Sequence, residues 1–213
     1  AGAPSESFAR ELAERVSAPP GLTVSVADRA PFTVGFPRAE IVSTATLDCA
    51  AVSCKPAVFY AADARHFEAL AVPLRAGRTF TERERSAGGA IVINDAMARR
   101  LWPAQSPLGQ IVKLGAAGTR AEVVGVVGDI APGYSGRSAE PVFYKPIAPG
   151  DFDNFALVVR TTGTEAAAIA TIRDAAHAIA PALPIGSIAP MNGRLELQMW
   201  PRRTAAGIER YSS

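Results

Sequence analysis

Between Ser5 and Val16, the residues Phe8, Leu12 and Val16 recur at i, i+4 and i+8, the spacing of one helix face, and Pro19-Pro20-Gly21 stops the pattern. From Leu22 to Ala27 the period shortens to two, predicting a strand, and the β-branched run from Ala39 to Leu47 predicts a second. Ala57 to Ala62 predicts a third strand, and Asp63 stands where it can cap a short helix bearing Phe67 and Leu70. Pro73 to Phe80 reads as irregular, and the charged segment through Gly89 as a loop. Ala90 to Ile93 predicts a short buried strand. Asn94 then suits the N-cap of a helix with Met97 and Leu101 on one face, ended by Trp102-Pro103.

Ile111 to Leu114 and Glu122 to Val127 predict a hairpin across a Gly-containing loop, and Ile130 to Gly136 a Gly- and Pro-bearing loop. Val142 to Tyr144 and Ala156 to Arg160 are further strands. Thr164 to Ile179 is the strongest helical pattern, with Ile169, Ile172, Ala176 and Ile179 as its inner stripe. Pro184 to Ile188 predicts a last strand, followed by a helical segment to Met199. Strands and helices mix without strict βαβ alternation, so the expected class is α+β, with mixed sheets and packed helices.

The chain has 213 residues, enough for one large domain or two small lobes. Hydrophobic residues make up 48% and charged residues 20%, which is globular usage and excludes a disordered chain. The net charge of +2 argues against a nucleic-acid partner, which calls for a basic excess or stripe. All but Lys55, Lys113 and Lys145 of the 22 basic residues are arginine, but they are scattered. The longest stretch free of Asp, Glu, Lys and Arg, Ala175 to Gly193, is broken by three prolines, so it predicts no membrane span. With no initiator Met and no signal peptide, the chain reads as a mature or excised piece.

Cys49 and Cys54 are the two cysteines. Their spacing fits neither a CxxC redox motif nor, without a nearby histidine, a zinc site. The simplest reading is a disulfide closing a loop between two strands, in an oxidising compartment; two reduced thiols in a turn is the alternative.

Candidate chemistry is sparse. His66 and His177 read as surface or half-buried helix residues, and no GxSxG, HExxH or P-loop motif occurs. Gly125-Val126-Val127-Gly128-Asp129 lacks the GxGxxG spacing of a dinucleotide loop. Asp151, Asp153 and Asn154 lack the distal Glu of a calcium loop and read as a solvated turn. Glu82 and Glu84 alternate with Arg83 and Arg85 as a self-neutralising run. No catalytic, metal or cofactor site is expected.

Longer-range order is more specific. Val58-Phe59-Tyr60 is followed by the run from Phe67 through Val72-Pro73-Leu74-Arg75-Ala76-Gly77-Arg78-Thr79-Phe80-Thr81. Next come Ile91-Val92-Ile93-Asn94-Asp95-Ala96-Met97-Ala98-Arg99-Arg100-Leu101-Trp102-Pro103, Pro107-Leu108-Gly109-Gln110 and Val123-Val124-Gly125-Val126-Val127-Gly128-Asp129. This order resembles the MacB-like periplasmic core domain of FtsX-type ABC transporter permeases, and within it the duplicated orphan permeases that lack a fused ATPase. The resemblance covers most of residues 5 to 203.

The resemblance implies a non-catalytic extracytoplasmic domain, periplasmic to the bacterial inner membrane, without a cofactor. Its implied partners are its own transmembrane helices and a separate ATPase subunit, with a periplasmic protein or a second copy as further candidates. It also implies that residues 1–203 form the domain in two lobes: a porter-like lobe of 5–62 with 152–199, and an inserted mixed lobe of 63–151. Trp200, Arg202 and Arg203 would then lie close to the membrane–water boundary; from the residues alone a plain surface tail is the alternative. Residues 204–213 depart from the family's hydrophobic continuation and read as a truncated tail or appended residues. The motif residues Gly77, Arg78, Phe80, Asn94, Ala98, Trp102, Pro103, Pro107, Gly109, Gly125, Gly128 and Asp129 read as scaffolding. Gly77 and Gly109 suit tight turns, Asn94 a cap, Trp102 an apolar anchor, and Pro103 and Pro107 the exit of the chain.

Three functions compete: a permease domain coupling helix movement to export or to an envelope partner, a free-standing periplasmic binding or adaptor domain, and an extracellular hydrolase. The missing catalytic constellation disfavours the last. If Cys49 and Cys54 are bridged, a thiol assay on the unfolded, unreduced chain finds no free thiol. Removing the bridge then costs about 2 kcal/mol of stability; a count of two thiols overturns the pairing.

Overall fold

The computed structural model describes residues 6–31, 38–44, 56–130, 140–152, 155–182 and 187–191. Its helices are α1 (Glu6–Ser17), α2 (His66–Ala69), α3 (Glu82–Ala87), α4 (Asp95–Leu101) and α5 (Glu165–Ile179). Its strands are β1 (Leu22–Ala27), β2 (Ala39–Glu40), β3 (Val42–Ser43), β4 (Ala57–Ala62), β5 (Leu74–Gly77), β6 (Ala90–Asn94), β7 (Ile111–Leu114), β8 (Thr119–Val127), β9 (Val142–Pro146) and β10 (Ala156–Thr161). The class is α+β, as expected.

Among the described residues the strands hydrogen-bond in the order β10-β1-β4-β9-β6-β8-β7-β3, with β2 beside β4 and β5 beside β8. β4 runs parallel to β9, and β6 parallel to β8. All five residues of β6 are buried, because apolar clusters cover both of its faces. Ile91 and Ile93 pack with Val112, Val123, Phe143 and the α4 side chain Met97 on one face. Val92 joins Phe67, Phe80, Val127 and Tyr144 on the other.

The β1–β10 end is layered differently. Val24 packs with Leu12 and Val16 of α1 and Ala176 of α5, and Val26 packs with Ala9 of α1 and Ala61 of β4. Between them Ser25 points to the opposite face of the sheet, as strand alternation requires, and meets α2. β1 is therefore covered on both sides by helices.

Several elements depart from the sequence-based reading. Leu74 to Gly77 forms β5 against β8, although all four of its residues are exposed, so the strand is held by its backbone and leaves no apolar alternation to detect. The charged loop contains α3, opened by a reciprocal cap: Thr81 Oγ1 accepts from Glu84 N, and the Glu84 carboxylate accepts from Thr81 N. The run from Ala39 splits at Ile41, its first part pairing with β4 and its second with β7. Asp63 does not cap α2; its carboxylate accepts from Val26 N and Arg65 N and ties the turn to β1. Ser187 and Ile188 are not in a strand, and residues 183–186 and 192–199 of the expected C-terminal elements lie outside the described residues.

Gly125 sets the closest backbone approach. A Cβ there would collide with the carbonyl of Arg78, where β5 leaves β8, whereas at Gly88 it would meet nothing within 4 Å. Gly125→Ala is expected to lose about 3 kcal/mol in urea unfolding. Gly88→Ala, at φ +66° and ψ −156°, meets no neighbouring atom and is expected to lose about 2 kcal/mol from backbone strain alone.

Candidate functional site

The family-type motif residues converge around the β5–β8–β6 crossing and α4. Gly77 has no room for a Cβ, which would strike the Val124 carbonyl and the Leu108 side chain. Gly128 sits against Pro73, and Gly109, at φ +77°, donates its N–H to Val123 O at 2.9 Å. Phe80 is buried beside Phe67 at a ring separation of 6.4 Å. Trp102 is buried against the core, with Ala98 and Leu108 packed alongside. Pro103 lies next to Trp102 and Thr44 around a small cleft of about 240 Å³. Pro107 O accepts from Gln110 N in the turn before β7.

The polar members are structural as well. Asn94 Oδ1 accepts from Met97 N at 2.9 Å, capping α4 as expected, and also from Val142 N at 3.0 Å. Its Nδ2 donates to Glu140 O. Asp129 accepts from Ala96 N and from the Arg99 guanidinium, both at 2.9 Å. It thereby puts a carboxylate at the positive end of α4. Arg78 forks onto Glu84 through two bonds, and this pairing holds the Glu84 carboxyl down at about 2. None of these side chains is left poised for covalent chemistry.

A second group, unnoticed in the sequence, spans β1, β2, β4 and β9. The nearly buried Asp28 carboxylate accepts from Ala61 N and from Arg38, at 3.2 and 3.0 Å. Arg38 also approaches Asp151 at 3.7 Å, and Lys145 approaches Asp151 at 3.6 Å. Arg29 donates to Phe59 O and lies 4.5 Å above the Tyr60 ring. Burial raises the Tyr60 phenol, and the Arg29 charge opposes that rise. Tyr60 stacks on Tyr144, and Phe59 on Phe143, across the β4–β9 pair. Asp151 thus serves this network, while Asp153 and Asn154 lie outside the described residues.

His66 corrects an expectation. It is fully buried, not a surface residue, because α2 is wedged against β1 with Phe67 and Tyr144 around the ring. His177 is exposed, as expected. A third feature is an open cleft of about 450 Å³ between α1, β10 and α5, walled by Phe8, Leu12, Leu157, Ile169 and Ile172. Among the described residues no group of three metal-ligating side chains occurs. Cys49, Cys54, Trp200, Arg202 and Arg203 lie outside the described residues.

The family described as MacB-like periplasmic core domain matches residues 2–179. The chain belongs to that family. Its localisation follows: it is a periplasmic or extracellular domain of a MacB/FtsX-like ABC transporter permease. The fold agrees with the periplasmic region of MacB from Actinobacillus actinomycetemcomitans, at 16% identity and a TM-score of 0.54, covering 80% of this chain and 73% of that one. It also agrees with the extracellular domain of the noncanonic ABC-type transporter YknZ from Gram-positive bacteria, at 19% identity and a TM-score of 0.50, covering 78% and 77%. No curated protein matches the sequence.

For this MacB-like domain, the motif order in the sequence led to the packing centre and missed the polar network. The Asp28-Arg29 pair directly after a strand was the available signal. Asp28→Ala leaves Ala61 N–H without its acceptor and takes one anionic partner from Arg38, and is expected to cost about 2 kcal/mol in chemical denaturation. Asp28→Asn, which keeps one acceptor, is expected to cost less.

Proposed function

We propose that this domain is a non-catalytic transmission element, coupling movement of the permease's transmembrane helices to export or to engagement of an envelope partner. The family membership is the observation that carries this reading. It is supported by motif residues that are occupied in packing, capping and ion pairs. ATP hydrolysis then belongs to a separate ATPase subunit. Trp200, Arg202 and Arg203 mark the return to the membrane, and a periplasmic protein or a second copy of the domain is the external partner.

Mechanistically, the proposal keeps two lobes, residues 5–62 with 152–199 and residues 63–151, that shift relative to one another. One feature suits such a shift. Ion pairs join α1 and α3: the half-buried Arg85–Glu6 at 2.8 Å and the exposed Arg10–Glu82 at 3.8 Å. Pairs that stay in reach of water are weak enough to break and re-form.

A second reading, a free-standing periplasmic binding domain, draws on the 450 Å³ cleft, which lies within the size range of small-molecule pockets. The full-length gene product separates the two. The permease reading expects an apolar segment of about 20 residues on each side of this domain. A signal peptide before it and a stop after Ser213 would overturn that reading. In the full-length permease reconstituted with its ATPase, a maleimide cross-link between Glu6→Cys and Arg85→Cys is expected to cut ATP-driven turnover about tenfold. Unchanged turnover in the linked protein refutes lobe movement at this contact.

A further inference from the structure

The joint between α2 and β1 contains a buried proton-binding group that none of the scaffolding roles uses. His66 has 0% exposure. Its Nδ1 lies 3.1 Å from Ser25 Oγ on β1, and its Nε2 is buried without a hydrogen-bond partner. Nearby, the Asp63 carboxylate accepts from Val26 N and Arg65 N. A ring proton on Nε2 would be a buried donor without an acceptor, so the neutral ring carries its proton on Nδ1, where Ser25 Oγ accepts it. Nε2 is then a bare lone pair among the rings of Phe67 and Tyr144.

We infer that the α2–β1 joint is an acid-released latch, closed while the His66 imidazole is neutral and opened when Nε2 takes up a proton. A proton on Nε2 creates a cation and a new donor in a place that offers neither water nor an acceptor, so the ring is stable in charged form only outside the joint. The groups facing it do not compensate. From the turn before α2 comes Asp63, already engaged by Val26 N and Arg65 N. From α2 itself come Arg65 and Glu68, at the surface and 3.9 Å from each other. β9 supplies Tyr144, a neutral phenol held protonated by burial, which stacks on Tyr60 of β4. Arg160 of β10 reaches the Glu68 carbonyl and adds positive charge on that side.

Burial holds His66 down at about 4, below its ordinary 6.5. A group lowered in the closed state stabilises that state fully above 6.5 and loses the contribution as pH falls toward 4. By linkage, closure weakens about 30-fold between pH 7.5 and pH 5. Asp63 works in the opposite sense: burial raises it, so its protonation favours the closed state in acid. A domain on the outer side of the membrane meets the external pH directly, which gives such a latch an input.

Amide hydrogen exchange on this chain, corrected for intrinsic pH dependence, tests the latch. Leu70, Ala71 and Val72 donate their N–H groups to the α2 carbonyls of His66, Glu68 and Phe67. Their protection is expected to fall at least tenfold from pH 7.5 to pH 5, while Ile93 in β6 and Val126 in β8 keep theirs. His66→Phe and His66→Asn are expected to abolish the pH dependence, and whichever variant retains β6 and β8 protection decides the point. Asp63→Asn is expected to retain it. Protection that is independent of pH overturns the latch, as does loss that spreads equally to β6 and β8. So does a pH dependence that survives in the His66 variants or vanishes with Asp63→Asn.

Discussion

β4 meets β1 through one residue pair, Ala27 with Ala62, yet runs parallel to β9 over five, from Val58–Val142 to Ala62–Pro146. Parallel pairing requires a long crossover, and here some eighty residues leave β4 and return as β9. Everything in that excursion, α2, β5, α3, β6, α4, β7 and β8, is positioned by where β9 docks. The docking is enforced by side chains as well as backbone, since Phe59 stacks on Phe143 on one face and Tyr60 on Tyr144 on the other. A slip of one residue would exchange the two faces and place the Tyr hydroxyls in the Ile91–Val112–Val123 cluster.

That constraint explains where polar groups are tolerated. On the β6–β8 side both faces are apolar and filled, so stiffness comes from close packing. At the β1–β4 junction, where backbone pairing thins to one residue pair, Asp28, Arg38, Asp151 and Lys145 take over. Buried ion pairs contribute little net stability against their desolvation, but they fix one geometry, because a half-broken pair is costly. Such a joint has a definite closed state without great strength. A non-directional apolar joint would be stronger and would permit sliding.

Much of this was legible from periodicity. α1, α4, α5 and the inner strands fall within a residue or two of their expected bounds, apart from β8, which begins at Thr119. Their patterns are those of surfaces buried on one side, or on both, for which hydrophobic spacing is a direct record. β5 escaped because its pairing rests on backbone alone. α3 escaped because it has no buried residue; only the Thr81-x-x-Glu84 capping box announced it. His66 escaped for a different reason. A four-residue helix in a corner is covered on more than one side, so both His66 and Phe67 are buried, and helical spacing carries no information at that length. The family motifs pointed to the packing centre because glycines and caps are visible as residue types. The Asp28–Arg38–Asp151 network reaches a position more than a hundred residues away, and its one local mark is the Asp28-Arg29 pair directly after a strand.

The two polar joints along β1 are consequently different in kind. The Asp28 network is partly open, with the Arg38 side chain about half exposed. Its strength therefore responds to salt. The Ser25–His66 contact is closed to solvent and holds a group whose ordinary titration falls in the range an external compartment traverses. One strand thus carries an ionic joint where β1 meets β4 and a proton-sensitive joint where it meets α2. A force or a change of medium acting on β1 acts on both. Because Asp63, in the turn that leads into α2, is bonded to Val26, loosening the second joint also frees the backbone one residue before Ala27, where the first begins.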